Sequence, residues 1–244
     1  MTAQHPVRGD VAVLVPAAGL GARLGPGGPK ALRELGGSSL LVHTVRRLGQ
    51  APSVGCVVVA APAGMAALIH AALMTEVPAG VDLVVVDGGA TRQDSVAAAL
   101  SATPRSYPIV LVHDAARAFA PPELVERVAG AVRDGHDAVI PVLPVVDTIK
   151  QIDESGYVAA TPERATLRAV QTPQGFRRSV LEHAHRHNAH GDATDDASLA
   201  ESIGVPVFCV PGADAAMKIT RPADLAAAEL LLAATVSGRT TLGS

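Results

Sequence analysis

Between Pro16 and Lys30 the chain reads PAAGLGARLGPGGPK, a run of glycines and small residues holding two cations, Arg23 and Lys30. Residues without bulk let backbone N–H groups approach phosphate oxygens, and a guanidinium or an ammonium adds the charge that a polyanion needs. The spacing of Gly19, Gly21 and Gly25 is not the G-x-G-x-x-G of a dinucleotide site, and Lys30 follows proline rather than the glycine of a P-loop. A tight glycine turn with two surface cations is the plain alternative. Context favours phosphate: the run follows VAVLVP, so the loop would leave a buried strand at the carboxyl edge of a sheet, where α/β proteins bind ligands.

The basic residues point the same way. Lysine occurs only at 30, 150 and 218, and the remaining cations are arginine. Where arginine is the default, a retained lysine is a candidate for a compact point charge on a phosphate. Lys30 sits in the loop and Lys218 in the stretch MKITRPADL, whereas Lys150 has no assignable chemistry. DGGATRQDSV, from Asp87, reads as a strand end, a glycine turn and a helix start whose N–H groups can face a base edge or phosphates; an ordinary capped turn is the alternative. HDAAR places Asp114 at a strand end, suited to bind a substrate hydroxyl or help hold Mg²⁺, or else to pair with Arg117 and shape the turn. His183, His185, His187 and His190 have metal-like spacing, but a solvated helix end accounts for them. No G-x-S-x-G elbow occurs.

These groups need a scaffold. Valine-rich runs begin at Val11, Cys56, Val81, Ile109, Ala138 and Val205, and alternate with segments of helical period. That is the signature of strands buried on both faces and covered by helices. Helices are expected over 39–50, 64–75, 91–102, 122–134, 177–188, 195–203 and 222–234, with Thr91 and Asp195 as N-caps and Pro122 and Pro222 in first turns. The expected fold is α/β: a single three-layer domain over 1–244 on a mostly parallel twisted sheet. Thr148 to Thr161 alternates polar and apolar residues around Glu-Ser-Gly, which fits a β-hairpin. Too polar to form a core, it is expected to project as an arm, 147–168, toward another subunit, while the tail SGRTTLGS frays.

Composition bounds the function. The chain has 244 residues, 48% hydrophobic and 18% charged, with a net charge of -3. A chain this long buries roughly 70% of its unfolded surface and needs neither disulfides nor structural metal. Cys56 and Cys209 lie in apolar runs and are expected to be buried thiols in a reducing, cytoplasmic compartment. Twenty Lys+Arg balance 23 Asp+Glu with no basic block, which excludes a nucleic-acid surface or a polybasic membrane patch. The uncharged stretch 48–75 is broken by Pro52, Gly55, Pro62 and Gly64 and reads as strand plus helix rather than a membrane span; no targeting segment is evident. Five aromatic residues and no tryptophan mean that a bound base must be held by backbone and charge.

In order, PAAGLGARLG with its downstream PK, DGGATRQDSV, HDAAR, DTIK, QTPQ, ATDDAS and MKITRPADL resemble the 2-C-methyl-D-erythritol 4-phosphate cytidylyltransferases, a family of sugar- and polyol-phosphate nucleotidyltransferases in the non-mevalonate isoprenoid pathway. The resemblance runs from about Val11 to Leu232 and implies a Rossmann-like nucleotidyltransferase fold. It also implies CMP transfer from CTP to the methylerythritol phosphate, with Mg²⁺ carried mainly on the CTP phosphates. By resemblance CTP lies on Pro16, Ala17, Ala18, Gly19, Gly21, Arg23, Lys30, Gly89, Ser95, Ala115 and Lys218. The polyol phosphate lies on Asp114, Arg117, Thr148, Arg164, Thr172 and Thr194. Arg23, Lys30, Arg164 and Lys218 form the catalytic set, and Arg164, just after the hairpin and within the arm, would complete a neighbour's site in a homodimer. A cytidylyltransferase for another polyol phosphate, such as ribitol 5-phosphate, and a nucleotide-binding regulator without turnover are the competing expectations.

Overall fold

A computed structural model describes residues 9–19, 21, 24, 25, 28–188 and 193–240, with side chains up to 233. Arg23, His190 and the end of the tail, 241–244, lie outside the described residues.

The first apolar run forms β1 (Val11–Pro16), followed by a hairpin of β2 (Glu34–Leu35) and β3 (Ser38–Ser39) and by α1 (Leu40–Gly49). Strand and helix then alternate: β4 (Val54–Ala61), α2 (Ala66–Leu73), β5 (Asp82–Asp87), α3 (Arg92–Ala102), β6 (Ile109–Val112), α4 (Pro122–Arg133) and β7 (Ala138–Pro144). The second half adds the hairpin β8 (Gln151–Ile152) and β9 (Val158–Ala160), then β10 (Arg168–Val170), β11 (Gln174–Arg177), α5 (Arg178–His187), α6 (Asp196–Ser202), β12 (Val207–Pro211) and α7 (Pro222–Thr240). Local chemistry sets the helix starts. Thr91 and Asp94 close a capping box on α3, Asp195 accepts the Ser198 N–H ahead of α6, and Pro122 begins α4.

Among the described residues the main sheet has eight strands, one of them β10, which pairs antiparallel with β7. β5, β4, β1 and β6 pair in parallel, β11 runs antiparallel between β6 and β7, and β12 joins the far edge of β7 in parallel. Alternation along β1 and β4 divides the core. Val11, Val13, Val15, Val57 and Val59 pack under α1, α2 and α4, while Ala12, Leu14, Val58 and Ala60 pack under α3, α5 and α6. This is the expected three-layer α/β arrangement. All six strands read from apolar runs are present; β10 and β11 are additions. β11 reads QGFR, too short and polar to stand out, yet Phe176 is fully buried and a Cβ on Gly175 would sit 2.6 Å from Val128 Cγ1. The close approach of α4 therefore requires glycine there.

Three expectations are corrected. Cys209 is exposed, because β12 is an edge strand and its neighbour Phe208 is open as well. Cys56 is buried, and burial, with Asp82 adding to it, pushes its thiol up to about 12. His185 does not belong to a solvated helix end; it is buried, with Nε2 2.9 Å from Asp196 Oδ1. No group of three or more metal-ligating side chains occurs among the described residues. Finally α7 continues to Thr240, so the tail expected to fray is helical over 237–240.

β8 and β9 form a two-stranded sheet of their own, pairing Gln151 with Ala160 and Ile152 with Val158. Ile152, Tyr157 and Val158 are exposed on it. No helix among the described residues is long and apolar enough to cross a membrane.

Candidate active site

Three turns meet at the carboxyl edge of β1. The first is the glycine loop, where Gly21 adopts φ +65° and a Cβ there would collide with the Lys30 side chain. Lys30 N donates to Gly19 O at 3.2 Å, which folds the loop back and brings the ammonium-bearing residue under the strand end. The second turn joins β5 to α3. Gly88 N donates to Ala61 O (2.7 Å), and Gly89 N donates to Ser95 Oγ (3.2 Å), whose own hydrogen goes to Thr91 O (2.9 Å). The third is HDAAR, anchored by His113 N on Leu14 O at 2.8 Å and closed by Arg117 N on Asp114 O at 3.0 Å.

The turns enclose a cavity of about 470 Å³. Pro16, Ala17, Ala18, Gly19, Gly21, Lys30, Gly89, Ser95, Ala115 and Lys218 all line it, so every described residue expected around the nucleotide is in one place. Asp114 lines it too. Arg117 and Thr172 are buried behind Asp114 and do not line it. Thr148, Arg164 and Thr194 are exposed and lie off the cavity; Arg164 donates from Nη1 to Val146 O at 2.7 Å, in the arm.

Charge is concentrated on Asp114. Its carboxylate lies 2.8 Å from Lys218 Nζ, 3.5 Å from Arg92 Nε and 3.7 Å from Arg117 Nε. Burial alone would raise its pKa, but Lys218, then Arg92 and Arg117, outweigh burial and hold the carboxyl well below the usual carboxylate range. Asp114 does pair with Arg117, as one expectation had it, within a cluster dominated by Lys218. Arg117 is held from behind, donating from Nη1 to Ala216 O (2.7 Å) and from Nη2 to Val170 O (3.2 Å).

Arg92 was not singled out in the sequence. It lines the cavity and bridges Asp114 to the fully buried Asp196, with Nη1 2.7 Å from Asp196 Oδ2. A signal was available: arginine in the first turn of a helix opposes the helix dipole, so something other than helix stability holds it there.

A glycine loop on the first strand of a parallel sheet, with cations and a second glycine turn around one cleft, makes a site suited to a phosphorylated ligand. The profile of one family, IspD, described as 2-C-methyl-D-erythritol 4-phosphate cytidylyltransferase, matches residues 11–234, and the chain belongs to that family. The enzyme of that name from Frankia casuarinae is 54% identical over 223 residues, covering 91% of this chain and 81% of the relative. The one from Streptomyces coelicolor is 51% identical over 229 residues, covering 91% and 84%. Among solved structures, the 2-C-methyl-D-erythritol 4-phosphate cytidylyltransferase of Thermus thermophilus superposes with a TM-score of 0.72 at 40% identity, covering 90% of this chain and 97% of that one. The 4-diphosphocytidyl-2C-methyl-D-erythritol synthase of Anaerococcus prevotii superposes with a TM-score of 0.78 at 27% identity, covering 91% and 97%.

Proposed function

We propose that this cavity is the seat of the family's reaction, in which the cytidylyl group of CTP passes to 2-C-methyl-D-erythritol 4-phosphate with release of pyrophosphate. A phosphate oxygen of the acceptor bonds to the α-phosphorus, and the bond from that phosphorus to the oxygen bridging to the β-phosphate breaks. The products are pyrophosphate and 4-diphosphocytidyl-2-C-methyl-D-erythritol, an isoprenoid precursor. Bringing two polyanions together makes charge and position the protein's whole contribution. The observation that carries the assignment is that Lys30 and Lys218, two of only three lysines, come from distant parts of the chain to one cavity on the glycine loop.

In this reading Lys30 and Arg23 stabilise charge at the α-phosphorus, and Lys218 positions acceptor phosphate and nucleotide. The base lies against Ala17, Ala18, Gly89 and Ser95, and is read through main-chain groups and one hydroxyl. Pro16, Gly19, Gly21 and Ala115 complete the nucleotide's walls. Asp114 takes a polyol hydroxyl, with Arg117 and Thr172 supporting it.

Asp114 is the one carboxylate lining the cavity among the described residues, and three cations already surround it. The site therefore fits a divalent ion, Mg²⁺, that arrives on the CTP phosphates rather than one held by a protein cluster. When bound, the ion neutralises triphosphate charge.

Thr148, Arg164 and Thr194 serve the polyol phosphate, and Arg164 does so in the site of a second protomer, with residues 147–168 as the exchanged arm of a homodimer in which each chain is one unit over 1–244. The exposed Ile152, Tyr157 and Val158 on that arm support pairing with another chain. The two unpaired cysteines are in keeping with a cytoplasmic enzyme. Pyrophosphate release with CTP, Mg²⁺ and either methylerythritol phosphate or ribitol 5-phosphate tests the assignment. Preference for ribitol phosphate would move the substrate, and release with neither would favour a regulator.

A further inference from the structure

His113 follows directly on β6 and turns its side chain into the protein, where it has no exposed surface. The ring is not part of the cavity wall. It lies between two groups, with Nε2 3.3 Å from Arg117 O and Nδ1 3.1 Å from Thr172 Oγ1. A carbonyl oxygen can only accept, so Nε2 carries the hydrogen. Burial draws the ring's pKa down to about 4, which keeps it neutral and leaves Nδ1 bare. Thr172 must then donate its hydroxyl hydrogen to Nδ1, and its oxygen accepts the Asp114 N–H at 3.0 Å. One imidazole thus holds both ends of the Asp114–Arg117 turn, the carbonyl end directly and the amide end through one hydroxyl.

We infer that His113, as the Nε2–H tautomer and acting through Thr172, is a positioning residue for the acceptor half of the site, fixing the direction in which Asp114 presents its carboxylate. Thr172, one of the residues expected at the polyol, is the link between the ring and the Asp114 amide. This role presupposes the substrate assignment above. The nucleotide rests mainly on other elements, the β1 loop and the β5–α3 turn, so loosening the HDAAR turn has an asymmetric consequence. Lys218 and Arg92 remain in the cavity wall, but the carboxylate that orders them loses its fixed origin.

Two experiments test it. The first needs no substrate: ¹⁵N spectra of histidine-labelled protein, in which a protonated Nε2 and a bare, hydrogen-bonded Nδ1 at His113 are expected near neutral pH. A hydrogen on Nδ1 would overturn the inference whatever the enzyme's activity. The second is steady-state kinetics on variants that each remove half the clamp. Glutamine can mimic Nε2–H but places no acceptor where Nδ1 sits, and Thr172→Val removes the hydroxyl at constant shape. His113→Gln and Thr172→Val are each expected to lower kcat/KM for the methylerythritol phosphate by about 10²-fold, the scale of a misplaced binding group, while KM for CTP stays within about threefold. Thr172→Ser should recover most of the loss, and combining His113→Gln with Thr172→Val should add little, because both cut one path. Equal losses toward both substrates, additive losses, or a lowered thermal midpoint with unchanged kinetic constants would each show a merely structural histidine. Wild-type pyrophosphate release, measured alongside, separates failure of this inference from failure of the substrate assignment.

Discussion

At the scale of single residues the site is a balance of one carboxylate against several cations. Lys30 is the cation that the folded-back glycine loop brings to the cavity wall. Lys30→Ala is expected to lower kcat by about 10²-fold or more, since in the proposed reading it deletes one preorganised charge at the reacting phosphorus. A KM for CTP that rises while kcat holds would reduce Lys30 to a binding group. His113 and Asp114 also make stability depend on acid. His113 titrates near 4 in the fold, against an ordinary 6.5, so only the unfolded chain takes up the proton between those values and stability falls as pH drops from about 6.5 toward 4. The loss over that window is about 3 kcal/mol. Asp114, held low, adds to it only below the ordinary carboxylate range. Urea unfolding at pH 7 and pH 4.5 checks this, and His113→Gln should flatten the slope. An unchanged slope in that variant would place the acid sensitivity elsewhere.

At the scale of elements, helix starts do as much for the site as side chains do. Thr91 and Asp94 satisfy each other across the first turn of α3, and Ser95 ties Gly89 to that turn. Thr91→Ala is expected to cost about 1 kcal/mol. Measured calorimetrically, that is a fall of about 2–4 °C in Tm for a chain of this size. KM for CTP should rise with it, because Gly89 faces the cavity; a lower Tm with unaltered KM would confine the capping box to stability. The same element shows what the sequence made legible. Strands with continuous valine runs and helices with marked caps were readable because both signals are local. β11 was not, since a four-residue strand with Gln174 and Gly175 takes its place from its neighbours: Gln174 donates to Asp195 Oδ2 at 2.7 Å, and Gly175 makes room for α4. Arg92 was hidden for a related reason. Its partner Asp196 lies far along the chain, and only the fold brings the two carboxylates to one guanidinium. Cys209 was misjudged because an apolar run does not say whether a strand is central or at an edge.

At the scale of the whole molecule, one chain gathers in its cavity the described residues proposed for the nucleotide and leaves some of those proposed for the acceptor outside it. Arg164 is exposed and off the cavity, next to a hairpin whose apolar residues face outward. If the arm crosses to a partner, Arg164 of one protomer and Lys30 of the other build each site, and two defective chains can repair one another. In a heterodimer of Lys30→Ala with Arg164→Ala, one site carries both changes and the other carries neither. Random pairing at equal concentrations makes half the dimers mixed, with one intact site in each, so co-refolding the two variants is expected to restore roughly a quarter of wild-type pyrophosphate release. Each variant alone should be far weaker, Arg164→Ala through a raised KM for the polyol phosphate with little change for CTP. If Arg164 acted on its own chain, no mixed dimer would hold an intact site, and the mixture would show only the average of its two parents.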